Sequence, residues 1–478
     1  MSNARLSELL CRDLPVDPVI LGVTADSRRV RPGFLFAALP GSKVDGKSFV
    51  TQALASGAAA VLANEDMPDV SAPVIKVLDP RRAYALAAAA FYGRQPATCV
   101  AVTGTNGKTS VATFCRQIFA GGGHSSASMG TLGVRAGDEQ LTPPGLTTPD
   151  AADVSEMLAR LADRGVTHLA LEASSHGIDQ RRLDGVNLVA AGFLNLTQDH
   201  LDYHGTMGAY RAAKLRLFES LLPRGGVAVL NADSEAFSAF AAASVTNGHT
   251  VMSVGAMGQG LVLTGRTLTL HGQRLGINAW GSRHEINVPL AGAFQASNAL
   301  VAAGLCIAAG ESPDRVLAAL ENLEGAPGRL QRVGSKPNGG EAYVDYAHTP
   351  DGLSAVLTAL RPHASGRLIV VLGAGGDRDR GKRPLMGAVA ADLADIAIVT
   401  DDNPRSEPPE TIRAQVLAGA SGLREIAGRR EAIRAAVALL EAGDILVVAG
   451  KGHETGQTIA GVTYPFDDVE EVREALGE

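Results

Sequence analysis

Aromatic residues make up only 4 % of the 478 positions, with a single tryptophan, and no block of lysine and arginine stands beside that shortage. Formal net charge is -7, from 43 basic and 50 acidic residues, so the electrostatic footprint of a nucleic-acid binder is missing. Long hydrophobic runs are missing too. The longest, around Ala83 to Tyr92, falls far short of the roughly 20 residues that a membrane span needs. The opening MSNARLSELL has none of the features of a signal peptide. Cysteine is scarce: Cys11, Cys99, Cys115 and Cys306 show neither metal nor redox spacing, and at least two fall in expected core elements. A reducing cytoplasm is the expected setting. The length suggests roughly three domains of about 150 residues.

What is present begins at AVTGTNGKTS, Ala101 to Ser110. It ends like a phosphate-binding loop, although Val102 stands where the usual spacing wants a glycine. Its surroundings fit. Cys99, Val100, Ala101 and Val102 make a buried-strand run, and Thr103 to Gly107 is too polar and glycine-rich to continue it. Val111, Phe114, Cys115, Ile118 and Phe119 then form one helical stripe that stops at Gly121-Gly122-Gly123. The first amides of a helix lack internal partners and its dipole favours anions, so such a loop cradles phosphate. Gly104 and Gly107 permit close approach, Lys108 supplies a point charge, and the Thr109 hydroxyl suits Mg²⁺.

Three blocks follow from composition and periodicity: residues 1–96, 97–327 and 328–478. The first mixes short strands (Phe34 to Ala37, Ala59 to Leu62, Val74 to Val77) with alanine-rich helices. The second alternates strands at Leu169 to Leu171, Val189 to Leu194 and Val227 to Leu230 with helical segments, and the third repeats the alternation at Tyr343-Val344, Leu368 to Leu372, Ile396 to Val399 and Ile445 to Val448. The fold class is therefore α/β with parallel-rich sheets covered by helices: a small N-terminal domain, a central phosphate-loop ATPase domain and a C-terminal Rossmann-like domain.

Ligands in such sheets gather at the carboxyl ends of strands. One end carries Glu172, an oxygen ligand suited to Mg²⁺. Another runs Asn195 to His204 and packs His200, His204, Asp199 and Asp202 closely, without a zinc pattern. Gly373 to Arg383 has glycines like a dinucleotide fingerprint, but lacks the downstream acid and is too charged. With Asp401 to Arg405 and Gly450 to Glu454, the strand ends present Arg378, Arg405 and Glu454. Arginine binds carboxylate bidentately, so these loops suit a zwitterion.

Taken together, TGTNGKTS, LEASSHG, NLTQDHLDYHG, YRAAKLRLF, QASNAL, GRLQRV, DYAHTP, GAGGDRDRGKRP, DDNPRSE and GKGHE resemble the Mur ligases, in the branch that adds meso-diaminopimelate to a UDP-N-acetylmuramoyl dipeptide. The resemblance is colinear over nearly the whole chain, and the shortened phosphate loop is normal in that family. It implies that ATP phosphorylates the side-chain carboxylate of D-glutamate in UDP-N-acetylmuramoyl-L-alanyl-D-glutamate. An amine of diaminopimelate then displaces the phosphate through a tetrahedral intermediate, in cytoplasmic peptidoglycan precursor synthesis.

Residue by residue, the resemblance implies that Gly104, Thr105, Asn106, Gly107, Lys108 and Thr109, with Asn298, Arg329 and Asp345, bind ATP. Thr109 and Glu172 serve one Mg²⁺, and His200 a second. Lys214, which reads by itself as an exposed helix lysine, matches one that the family carbamylates, so that an anion approaches the metal. Ala25, Ser27, Ser42, Lys43 and Val44 fall to the uridine nucleotide, and Thr147, Thr148, Ser174, Gln180 and Arg182 to the muramoyl dipeptide. Arg378, Asp402, Asn403, Pro404, Arg405, Gly450 and Glu454 fall to diaminopimelate. A monomer is expected. A lysine-adding ligase, a folylpolyglutamate synthetase-like ligase and a non-catalytic binding protein of the same fold are the alternatives. The last would be expected to lose Lys108, Glu172 or His200, and all three are present.

Overall fold

Strands in this chain are short apolar runs, and the computed structural model, which describes residues 3–41, 44–269 and 272–477, assembles them into parallel-rich sheets flanked by helices. Two compact units result: Met1–Val262 with Leu300–Val316, and Leu263–Ala299 with Leu317–Glu478.

In the first unit, Gly22–Thr24, Phe34–Ala37, Ala60–Asn64 and Val74–Val77 form a four-stranded parallel sheet in chain order. The alanine-rich stretch behind it is the helix Pro80–Tyr92, with Asp79 accepting from the Arg82 amide at its start. A larger sheet places Thr98–Thr103 between His168–Glu172 and Leu188–Phe193, all parallel. Ser126–Gly130 extends it on one side and Val227–Asn231 and Thr250–Gly255 on the other. Register puts Glu172 beside Val102 and His168 beside Thr98. The start and end of that strand thus lie beside opposite ends of its neighbours.

The phosphate-loop helix is Lys108–Gly121, and the apolar stripe Val111, Phe114, Cys115, Ile118 and Phe119 is buried. Thr109, Ser110, Thr113 and Arg116 are buried as well, so this helix is covered on more than its apolar face. Part of that cover is the helix Ala293–Ala308, whose Ala302 carbonyl lies 3.8 Å from Cys115 Sγ.

In the second unit the sheet order is Gln331–Ser335, Glu341–Asp345, Ile445–Ala449, Leu368–Leu372, Ile396–Val399, Arg424–Glu425, with the first strand antiparallel. Leu368–Leu372 is buried throughout, which is why it reads as one apolar run. Antiparallel hairpins at Gly272–Ala279 with Ser282–Val288 and at Gly456–Ile459 with Val462–Pro465 complete the unit. Among the described residues no helix is long and apolar enough to cross a membrane.

Candidate active site

The loop after Thr98–Thr103 can turn into its helix because Gly107 sits at φ +92°, a region that side-chain-bearing residues avoid. Asn195 then holds the loop from the neighbouring strand end: it accepts from the Asn106 amide at 2.9 Å and donates to the Asn106 carbonyl at 3.1 Å. Thr105 Oγ1 donates to the Thr197 carbonyl and accepts from the Thr197 amide. Thr109 Oγ1 donates to Glu172 Oε2 at 3.0 Å. Thr131 donates to the same carboxylate through its amide, 2.9 Å, and its hydroxyl, 3.2 Å. A buried carboxylate and two hydroxyls at a helix N-terminus form an oxygen donor set that fits a hard cation.

Lys108 Nζ donates to the carbonyls of Gly104 and Thr105, each at 2.8 Å. Lys214 Nζ donates to the same Gly104 carbonyl at 2.8 Å and lies 4.5 Å from the centre of the Tyr210 ring. Lys214 is 1 % exposed, which corrects its reading as a surface lysine: the helix Met207–Arg216 turns this position inward. Burial, and then the positive charge of Lys108, push its pKa well below the ordinary lysine value. An ammonium is desolvated here beside a second ammonium, so the neutral amine is favoured.

His200 approaches the loop indirectly. It has φ +53°, its ring lies 6.2 Å from Tyr210, and the Tyr210 hydroxyl is 3.2 Å from Thr105 Oγ1. Its ring also meets His176 edge-on at 4.8 Å.

The residues expected to hold the dipeptide converge. Thr147 and Thr131 hydroxyls are 2.9 Å apart, and Thr148 Oγ1 donates to the Glu172 carbonyl while accepting from the Ser174 amide. Arg182 donates to the Thr148 carbonyl at 2.6 Å and to Gln180 Oε1 at 2.7 Å. A cavity of about 610 Å³ is lined by Ala25, Ser27, Phe49 and Gln52 of the first block and by Asp150 and Asp153 of the second, among others, and Ser27 donates to Gln52 at 3.1 Å. Val44 is exposed. Ser42 and Lys43 lie outside the described residues.

In the second unit Asn298 is buried on its helix and donates to Gln295 at 2.9 Å. Asp345 accepts from the Leu330 and Ala347 amides at 2.6 and 2.7 Å, and burial raises its pKa. The Arg329 guanidinium lies 4.5 Å over the Tyr346 ring. Tyr346 also meets His453, whose pKa falls to about 4 through burial and then the charge of Arg329.

The loops at the carboxyl ends of this sheet are tied to one another. Gly376 donates to the Asn403 carbonyl at 2.9 Å, and Arg405 Nη1 donates to the Gly376 carbonyl at 2.8 Å. Asn403 donates to Glu454 at 2.7 Å, so its amide is engaged inside the protein. Lys451 is fully buried and donates to Asn403 Oδ1 and Glu454 Oε2, both at 3.2 Å. Asp402 and Pro404 are buried, Asp402 accepting from the Asn403 amide, and Gly450 bonds back to the Asp345 carbonyl. Arg378 is exposed. Arg405 bonds a neutral carbonyl here, and among the described residues no carboxylate forms an ion pair with it.

Sequence reasoning missed Thr131, Asn195, Tyr210, Gln52 and Lys451. Asn195 and Lys451 stand inside motifs already singled out. Thr131 and Gln52 carry no motif, and only the sheet brings them in.

Residues 19–92, 102–306 and 328–452 match, respectively, the descriptions Mur ligase family, catalytic domain; Mur ligase middle domain; and Mur ligase, glutamate ligase domain. A UDP-N-acetylmuramoyl-L-alanyl-D-glutamate--2,6-diaminopimelate ligase of Caulobacter vibrioides is 70 % identical over 99 % of this chain and 98 % of its own. A solved structure of a ligase of that name has a TM-score of 0.76 at 35 % identity, covering 100 % of this chain and 99 % of its own. A folylpolyglutamate synthase of Mycobacterium tuberculosis complexed with ADP shares the fold, with a TM-score of 0.63 at 21 % identity over 77 % of this chain and 91 % of its own.

Proposed function

The chain belongs to the Mur ligase family, and from that membership we propose that it adds meso-diaminopimelate to UDP-N-acetylmuramoyl-L-alanyl-D-glutamate at the expense of ATP. The D-glutamate carboxylate takes the γ-phosphoryl group as an acyl phosphate, the bond from the γ-phosphorus to its bridging oxygen breaks, and ADP leaves. A diaminopimelate amine then attacks the acyl carbon, the C–O bond breaks, and phosphate leaves as the amide forms. The setting is the cytoplasm, and the acting species is a monomer.

The observation that carries this reading is the surrounding of Gly104, where Lys108 and a buried Lys214 meet one carbonyl beside the Thr109 and Glu172 pair. Loop amides and Lys108 would bind the phosphates and offset charge on the transferring group. Mg²⁺, when bound through Thr109 and Glu172 with a second ion at His200, supplies further charge neutralisation. Neutral Lys214 is a nucleophile for carbon dioxide: nitrogen forms a bond to carbon, one carbon–oxygen π bond opens, a proton goes to solvent, and a carbamate anion replaces the neutral amine. Asn298, Arg329 and Asp345 serve the adenine nucleotide. The cavity at Ala25 and Ser27 takes the uridine nucleotide, with Thr147, Thr148, Ser174, Gln180 and Arg182 on the dipeptide. Arg378, Arg405 and Glu454 take the amino acid, on loops held by Asp402, Asn403, Pro404 and Gly450. Domain limits at 96/97 and 327/328 go with this division of labour.

The test is phosphate release from ATP by the full chain. It is expected to require both the muramoyl dipeptide nucleotide and diaminopimelate. Equal release without the amino acid, or with folate and glutamate in place of both substrates, would overturn the reading.

A further inference from the structure

The glycine run that ends the phosphate-loop helix leads to His124, and nothing in the ligation chemistry uses what is found there. His124 Nε2 lies 2.6 Å from Glu311 Oε1. The ring of His168 lies 3.9 Å from that of His124, tilted by 37°. One ring nitrogen of each histidine and one Glu311 oxygen lie within 4.8 Å of one another. We propose that His124, His168 and Glu311 form a further metal site in the first unit, for a borderline divalent ion of the Zn²⁺ type.

The donor chemistry selects the ion. Two imidazoles and a carboxylate are the donor types of three-ligand zinc sites, with water in the fourth position, and differ from the all-oxygen set that suits Mg²⁺. Bonds of about 2.0 to 2.2 Å place tetrahedral donors roughly 3.4 Å apart. The widest separation admitted here, 4.8 Å, is closed by roughly 1.4 Å of movement shared among three side chains.

The surroundings suit a ligand set. His168 is 9 % exposed. Thr167 Oγ1 lies 2.9 Å from His168 Nδ1 and Phe119 packs against the ring, fixing its orientation as outer partners of metal-bound histidines do. The Glu311 side chain is also 9 % exposed. A Cβ on Gly122 would stand 2.7 Å from Glu311 Oε2, so the carboxylate packs directly against this glycine.

The location gives the role. His168 begins the strand that Glu172 ends, and His124 follows the helix that Lys108 begins. A helix of 14 residues is about 21 Å long, so this ion stands apart from the phosphate loop. It would tie together the far ends of the two elements that carry Lys108 and Glu172, and thus be structural.

The experiment is a Zn²⁺ titration of the full chain against a chromophoric chelator, with Mg²⁺ in excess, and a melting curve with and without Zn²⁺. The wild type is expected to take up one equivalent and to melt higher with Zn²⁺. His168→Gln should weaken uptake by about 100-fold or more, and Thr167→Val, which leaves all three ligands, by about 10-fold. Should His168→Gln fail to fold, Glu311→Gln takes its place. Zn²⁺ uptake unchanged in these variants, or no uptake by the wild type beyond theirs, would overturn the site and leave a stacked histidine pair with a carboxylate.

Discussion

Two lysine amines donate to one carbonyl oxygen, that of Gly104, and their different depths give them different tasks. Lys108 stands at the helix N-terminus and serves the transferring phosphoryl group in the proposed reaction. Lys108→Ala is expected to abolish ligation by leaving the transferring phosphoryl charge uncompensated. A loss below about tenfold, worth about 1.4 kcal/mol, would remove it from the mechanism. Lys214 has its pKa depressed by burial and by Lys108, so the sign of its pH dependence is fixed. Above that depressed pKa the amine is neutral and adds carbon dioxide. As pH falls through it, the amine is protonated and carbamate formation stops. Activity of carbon-dioxide-equilibrated enzyme should therefore fall on the acid side, and activity lost on carbon-dioxide depletion should return on adding bicarbonate only above that pKa. Lys214→Ala should be nearly inactive and partly restored by a small carboxylate, whereas an unmodified lysine in active, equilibrated enzyme would contradict the carbamate.

At the scale of elements, a buried charge pair fastens the last helix to the loops of the second unit. Arg429 donates to both oxygens of Asp468 at 2.7 Å, and both side chains are fully buried. Arg429 also donates to the Ala449 carbonyl at 2.9 Å, just before Gly450. Asp468→Asn leaves the arginine buried without its counter-ion, and is expected to cost about 3 to 5 kcal/mol in urea unfolding. A change of about 1 kcal/mol or less, the range of an exposed pair, would contradict that role. The parallel strands were legible because burial makes them continuous apolar runs: Phe34–Ala37, Leu368–Leu372 and Ile396–Val399 coincide with their sequence readings, and the edge strand Val74–Val77 does so despite its exposed Lys76. Hairpins such as Gly272–Ala279 with Ser282–Val288 were not, since exposed polar positions interrupt them and no apolar run marks them. Lys214 misled for a related reason. Its neighbours Arg211 and Ala212 face solvent, and only the packing of its helix reveals the inward face.

At the scale of the molecule, the phosphate loop belongs to one compact unit and the loops proposed to take the amino acid to the other, so variants should separate the two half-reactions. Arg405→Ala is expected to preserve dipeptide-dependent acyl phosphate formation while ligation falls by about tenfold or more, the loss of one charged hydrogen bond. Lys108→Ala should lose both. Equal loss of both in Arg405→Ala would contradict the division. Motifs located these loops, but their mutual bonds, Asn403 to Glu454 and Lys451 to Asn403, join residues distant in sequence and follow only from the order of strands.

The choice of amino acid tests the central claim most directly. Diaminopimelate differs from lysine by a carboxylate on the carbon bearing the distal amine, and Arg405 is the group proposed to meet it. With lysine bound, that guanidinium keeps only its carbonyl partner, at a cost of about 1 to 3 kcal/mol or more. The measurement is kcat/KM for meso-diaminopimelate and for lysine, on the same muramoyl dipeptide nucleotide. The expected ratio is about 100 or more in favour of diaminopimelate, narrowing in Arg405→Ala. Comparable values for the two amino acids in the wild type would contradict the account and replace it with a lysine-adding ligase.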